Sequence, residues 1–301
     1  MTGVTRFLIG LAAFLAVAPM AASALAAGDK EVKRVTSFGG DCGKCELSGR
    51  KMSGARFMGA NFSGAAMVGS DLREAHFIGS SFAGADLTRA DLSDGEILGA
   101  NFANANLSHA RLRATEARGV NFASANLSRA DLTDAEATGS NFNKAVLEGA
   151  VLRAAELQGV NMTRVEARGA DFRDAELNGA VLVSGRFDKA SFRAAELSGA
   201  VLTGATFDGA DFRDAELSKT LIHGVDLSRA RGLDQDQIDE ACSDAKTRLP
   251  AGLVGKACSS SSIRMISRQI QSWPNHVRVV VPAPPPAPPA PPAPRYLVAQ
   301  P

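Results

Sequence analysis

The residues able to do chemistry are few and unusually spaced. Cys42 and Cys45 make a Cys-x-x-Cys pair in Asp41-Cys42-Gly43-Lys44-Cys45, and Cys242 and Cys258 stand far down the chain. Such a pair serves dithiol redox chemistry when it opens a helix beside a βαβ unit, or a zinc site when two pairs converge. Glu96, Glu116, Glu136, Glu156, Glu176, Glu196 and Glu216 recur every 20 residues. If the chain returned on itself with that period, they would form a strip of carboxylates able to bind cations or a basic partner. Arg113, Arg153, Arg173, Arg193 and Arg213 each stand three residues ahead of one of these glutamates, the last four in the pattern Arg-x-Ala-Glu-Leu. The four histidines, His76, His109, His223 and His276, are scattered, and none stands at metal-ligand spacing from a Cys, a Glu or another His. No catalytic, cofactor-binding or metal-binding constellation emerges.

What must position these residues is a repeat. Every fifth residue is large and apolar, as in Leu47, Met52, Phe57, Phe62, Met67 and Leu72, and the series continues to Leu217, Ile222 and Leu227. Two residues before each sits a small side chain, with Arg50 out of place, and Ala117, Ala137 and Ala167 break the large-residue rule, so the interior is expected to shift or thin there. A period of five matches neither the ~3.6 of a helix nor the ~2 of a strand, so the chain must turn after every unit.

Stretches such as Ala100-Asn101-Phe102, Ala105-Asn106-Leu107 and Ala130-Asp131-Leu132 resemble the pentapeptide-repeat family, A(N/D)LXX, over roughly residues 45–230. The resemblance implies an all-β solenoid, a right-handed quadrilateral β-helix in which four units make one square coil and the large and small residues point inward. A period of 20 is visible independently in the column Phe62, Phe82, Phe102, Phe122, Phe142, and in the later column Phe172, Phe192, Phe212. Gly59, Gly79, Gly99, Gly119, Gly139, Gly159, Gly179 and Gly199 suggest a corner with positive φ, as in a type II turn. Stacking at ~4.8 Å gives about nine coils and a rod roughly 43 Å long.

On such a rod Cys42 and Cys45 take inward slots of the first cap, as a local disulfide or as two buried thiols. The length of the rod separates them from Cys242 and Cys258, which rules out a shared zinc site in a monomer and leaves two local disulfides as the simplest pairing. Adjacent carboxylates of the Glu column would repel by about 0.9 kcal/mol each in water. The arginines three residues earlier are expected to offset that, with a cation- or partner-binding strip as the alternative. Asn101, Asn121, Asn141 and Asn161 should form an amide ladder, and Val181, Val201 and Leu221 continue that column as outward apolar residues in need of a cover.

The ends differ from the repeat. Arg6, the apolar run from Phe7 to Val17 and the Ala24-Leu25-Ala26 site read as a secretory signal, with the mature chain starting near Ala27 outside the cytoplasm, periplasmic or secreted. Asp234 and Gln237 have capping-box spacing, which predicts a short helix. Ile263, Ile266, Ile270 and Trp273 form a helical stripe fit to dock over the valines, and Pro282 to Pro294 is a polyproline tract. The expected organisation is a signal peptide at 1–26, a lead and cap at 27–44, the β-helix at 45–230, a cap with short helices at 231–275 and a Pro-rich tail at 276–301.

With 33 basic and 32 acidic residues the net charge names no partner and gives no pull toward nucleic acid. The reading is a non-enzymatic binding or structural scaffold without cofactors and without a membrane span in its mature form. Its partner would be a protein or cell-envelope component, or a second copy at the rod end. Some family members resemble a DNA duplex and act on DNA gyrase; the resemblance therefore carries a topoisomerase-directed alternative, disfavoured by the signal and by the arginine columns.

Overall fold

The computed structural model describes residues 36–257. The expected signal segment, Cys258, the Ile263 to Trp273 stripe and the Pro-rich tail lie outside the described residues. Strands β1 (Thr36–Phe38), β2 (Arg56–Met58) and β3 (His76–Ile78) pair in parallel in chain order. Beyond them single parallel bridges recur every fifth residue, each to the residue 20 positions on, from Asp41↔Asn61 to Asp211↔Arg231. One coil is therefore 20 residues with four sides, and the register never slips across the repeat.

The five backbone N–H groups of a unit explain the repeat. Around Phe82, the N–H of Phe82 and that of the corner residue Gly84 donate forward to Asn101 O and Ala103 O, at 2.7 and 2.9 Å. The N–H of Ser81 donates backward to Ala60 O at 2.8 Å, and that of Ala85 closes a turn on Phe82 O at 3.0 Å. The fifth, just after the large residue, has no backbone acceptor; buried or half-buried it needs one. An Asx side chain two residues earlier supplies it: Asn101 Oδ1 accepts from Ala103 N–H at 3.1 Å, Asn121 Oδ1 from Ala123 at 3.2 Å, and Asp131 Oδ1 from Thr133 at 3.1 Å. This is the physical content of Asn or Asp at the second position of the repeat.

Corners carry positive φ at every fifth residue from Lys44 to Gly224, on all four sides and not only in the Gly column. Glu74, Arg89, His109 and Ala154 adopt it as well as glycines do, with φ between 50° and 59°. The sign pattern, negative then positive before the closing N–H, is that of a type II turn. A small penalty for an L residue in this region is tolerated because the ladder on both sides over-determines the corner.

The core is a stack of single-residue columns. Phe62, Phe82, Phe102, Phe122 and Phe142 lie face to face with centroids 4.6–5.4 Å apart. In the second half, Phe172, Phe192 and Phe212 stack on one side and Phe187 and Phe207 on the next, the two sets meeting edge to face. Ala117, Ala137 and Ala167 are as buried as their large neighbours, and above Ala167 in its column stands Phe187. Buried hydroxyls repair corners: Ser140 Oγ donates to Ala117 O at 2.7 Å and accepts from Val120 N–H at 2.9 Å. Arg50, the misfit in a small slot, is exposed in the first coil.

After Arg231 the 20-residue register ends, and Leu221 pairs with Cys242, Asp226 with Arg248. Gly232 makes the exit turn at φ +77°, where a Cβ would stand 2.8 Å from the backbone nitrogen of Arg213, so no larger residue fits. Helix α1 (Gln235–Glu240) starts with a full capping box between Asp234 and Gln237. The Gln237 amide then reaches down to Phe212 O and Ala215 O, at 3.0 and 2.7 Å, and Ile238 is buried on the last coil. No helix among the described residues is long and apolar enough to cross a membrane.

Candidate functional site

Two outward faces carry the charged residues singled out by the sequence. On the first, Glu96 to Glu216 do stack coil on coil through parallel bridges. Their partners differ from the expected ones. Arg113 binds Asp131 at 3.1 Å, Arg153 binds Asp171 at 2.6 Å, Arg173 and Arg213 bind Asp171 and Asp211, and Arg193 lies 3.7 Å from Asp214. None of these arginines pairs with the Glu column, because a corner intervenes and turns residues 113 and 116, or 153 and 156, onto perpendicular faces.

The operative rule is different: with 20-residue coils, the residue after one large side chain abuts the residue before the large side chain above it. Arg118 thus binds Glu136, Gln158 binds Glu176, Asn178 binds Glu196 at 2.8 Å and Ser198 binds Glu216 at 2.6 Å, each 18 residues apart. Arg118 also lies 3.7 Å from Glu116, and His76 Nδ1 is 2.6 Å from Glu96. Among the described residues no Lys or Arg pairs with Glu156, Glu176, Glu196 or Glu216. From Glu156 to Glu216 this face is a negative strip, its upper three carboxylates held in shape by the neutral donors Gln158, Asn178 and Ser198.

The adjacent face carries three Asp-x-Arg units. In Asp171-Phe172-Arg173 the guanidinium clamps its own unit's carboxylate, Nε to Oδ1 at 2.8 Å and Nη2 to Oδ2 at 2.7 Å; Asp211 and Arg213 repeat this at 2.9 and 2.5 Å, and Asp71 and Arg73 at 2.8 Å for both bonds. Against burial, which pushes the other way, Arg173 and Arg153 hold the Asp171 carboxyl down to about 2. Arg213 holds Asp211 low in the same manner.

The Asn ladder forms over Asn101, Asn121 and Asn141, where Asn121 Nδ2 donates to Asn101 Oδ1 at 3.0 Å and Asn141 Nδ2 to Asn121 Oδ1 at 3.1 Å; the expected fourth member, Asn161, is seen only capping Thr163 N–H, at 3.0 Å. Farther up, Val201 is not an exposed residue; it is 4% exposed, stacked between half-buried Val181 and Leu221. Cys42 and Cys45 are joined by a disulfide, half-buried at the first coil. Cys242 is also disulfide-bonded, and Cys258, its expected partner, lies outside the described residues. Sequence reasoning missed the pairing of His76 with Glu96, the role of Arg118 and the aspartates of the arginine face; His76 shares the 20-residue column of the glutamates, and extending that column downward reaches it. Among the described residues no group of three or more His, Cys, Asp or Glu side chains is arranged to hold a metal ion.

A family model described as pentapeptide repeats, in eight copies, matches residues 42–94, 99–136, 130–166, 155–193 and 195–231. The crystal structure of HetL, a pentapeptide repeat protein involved in heterocyst differentiation regulation from the cyanobacterium Nostoc sp. strain PCC 7120, is 26% identical with a TM-score of 0.61. That match covers 70% of this chain and 92% of HetL. A pentapeptide repeat protein from the Arabidopsis thaliana thylakoid lumen is 28% identical over 35% of this chain and 70% of its own, with a TM-score of 0.28. QnrB1, a plasmid-mediated fluoroquinolone resistance protein, is 20% identical over 78% of this chain and 96% of its own, with a TM-score of 0.31. No curated protein matches the chain. The repeat and the likeness to HetL assign the rod its hand: it is a right-handed β-helix.

Proposed function

The chain belongs to the pentapeptide-repeat family, and from that premise we propose that it is a non-enzymatic binding scaffold working outside the cytoplasm, with the Glu96 to Glu216 face as its docking strip. The observation that carries this reading is the missing neutralisation above Glu136: Arg118 serves Glu116 and Glu136, whereas the arginines expected beside the rest of the strip lie against Asp171, Asp211 and Asp214 instead. A rigid row of carboxylates one coil apart suits a basic protein or cell-envelope component, because its charges are already fixed and lose little freedom on binding.

The experiment is affinity capture from an extracytoplasmic fraction with the mature chain and with a Glu156→Gln, Glu176→Gln, Glu196→Gln triple variant. The expected result is a basic partner retained by the first and lost by the second, with release on raising salt. Retention of the same partners by both chains would reject the strip as the docking surface. N-terminal sequencing of exported material should begin near Ala27; soluble protein that keeps Met1 in the cytoplasm would reject the location.

A further inference from the structure

On the upper part of the arginine face, one unit departs from the Asp-x-Arg units directly below and above it. Units Asp171-Phe172-Arg173 and Asp211-Phe212-Arg213 each clamp their guanidinium on a carboxylate, whereas the unit between them reads Ser191-Phe192-Arg193. Ser191 stands in register with Asp171 below and Asp211 above, so Arg193 lacks the partner its neighbours have. Its nearest carboxylate is Asp214 across a corner, 3.7 Å away, in a pair exposed on both sides at 53% and 72%. A surface pair of that kind holds a side chain weakly.

At this point the face opens into a cavity of about 280 Å³, whose charged lining is Arg173, Arg193, Arg213 and Lys189 against Asp171 and Asp211. Both carboxylates are spent on clamping the outer two arginines, through Nε and Nη2 in each case. That clamp fixes each guanidinium plane and leaves its Nη1 group for a further acceptor. Arg193 is the unclamped centre, flanked one coil up and one coil down at ~4.8 Å by pre-oriented cations. The Ser191 hydroxyl lies in the same cavity as a neutral donor.

We propose that this cavity is a binding site for a phosphate group. Donors arrive from three levels of the stack and from Lys189 at the side. A planar carboxylate would use one fork of such an arrangement, while a tetrahedral oxyanion presents oxygens toward all of them. The site is separate from the glutamate face and from the partner suggested for it, so either can fail without the other. A phosphate on a small soluble molecule and one on a phospholipid headgroup share the chemistry, and the two are told apart by the test.

Calorimetric titration of the full chain with inorganic phosphate at constant ionic strength should give saturable one-to-one binding. Ser191→Asp restores the Asp-x-Arg clamp of the neighbouring units, so it should keep the fold and melting temperature while weakening phosphate binding at least tenfold. Arg193→Gln should weaken it to the same degree, and Arg113→Gln, on the same face but outside the cavity, should not. Co-sedimentation with phosphatidylcholine vesicles containing phosphatidic acid reports the source: phosphate-competed binding assigns a headgroup, and no binding assigns a soluble phosphate compound. Absence of saturable phosphate binding, or equal binding by the native chain and Ser191→Asp, would overturn the proposal.

Discussion

The Asn ladder has a direction, and reversing one rung should reveal it. Each amide nitrogen points toward the N-terminal neighbour, Asn121 to Asn101 and Asn141 to Asn121, because each Oδ1 is committed to the N–H two residues on. Asn101→Asp keeps both acceptor roles of that position, toward Asn121 Nδ2 and Ala103 N–H. Asn121→Asp keeps the cap on Ala123 but loses the donor to Asn101 and sets a carboxylate oxygen against Asn101 Oδ1. That oxygen cannot turn away without releasing Ala103. The loss is one amide hydrogen bond of about 1 kcal/mol, plus a facing pair of half-buried acceptors, together ~1–2 kcal/mol. For a domain of this size that lowers the melting temperature by roughly 2–8 °C. Circular-dichroism melts at neutral pH should therefore separate Asn121→Asp from Asn101→Asp, the latter staying near the native value. Equal losses for the two variants would refute the directional ladder.

Phe122→Asp, which places an unpaired charge in the stacked column, should cost more than about 4 kcal/mol or abolish folding, while Asn126→Asp, which keeps the bond to Ser128 N–H, should stay within ~0.5 kcal/mol in the same melts. Asp171→Asn should lower stability by about 1 kcal/mol at neutral pH. Because the native carboxyl is held to about 2, that contribution is complete above the ordinary carboxylate range and is lost as pH falls toward 2, so native and variant melts should converge there. Ala154 sits at φ 50°, and Ala154→Gly should leave stability unchanged or slightly higher, whereas Gly179→Ala, at φ 67° in open space, should lose about 1 kcal/mol; a clear loss for Ala154→Gly would mean the corner is not left-handed. Gln237→Ala removes half of the capping box and both bonds to the last coil, and hydrogen exchange should show that coil, which starts at Phe212, opening first.

Much of the rod was legible because the signal and the cause coincide: Phe62 or Leu132 must face inward every fifth residue, and nothing else about the unit has to be known. The capping box at Asp234 was legible for the same reason, being a local bond between residues three apart. The ion pairs were not. Sequence distance suggested that Arg153 meets Glu156, yet the corner at Ala154 separates them, and the true neighbour, Asp171, is 18 residues on. Once a coil length of 20 is known, that offset follows from the geometry and would have placed Arg118 beside Glu136 as well. The glycine column misled in a milder way, since residue type marks where positive φ is easiest and not everywhere it occurs. Val201 looked exposed because outward positions were treated singly, whereas Val181 and Leu221 screen it from either side.

The hydrogen-bond pattern of the coils gives the rod an electrical polarity. In each unit two N–H groups point toward the C-terminal end and one points back, as Phe82 and Gly84 do against Ser81. In an ordinary sheet such peptide dipoles largely cancel. Here they run along the stacking axis with a two-to-one excess, repeated on four sides of every coil, and the excess adds up. The positive pole lies at the C-terminal end, opposite in sense to an α-helix, whose N-terminus is positive. Asp244 sits where that pole emerges: its carboxylate takes the forward-pointing N–H of Gly224 at 2.8 Å, and this bond, ahead of those from Thr247 and Lys246, draws its carboxyl down to about 2. The cap thus closes the stack with a negative charge at its positive pole, and a cation in place of Asp244 would sit against the field of every coil beneath it.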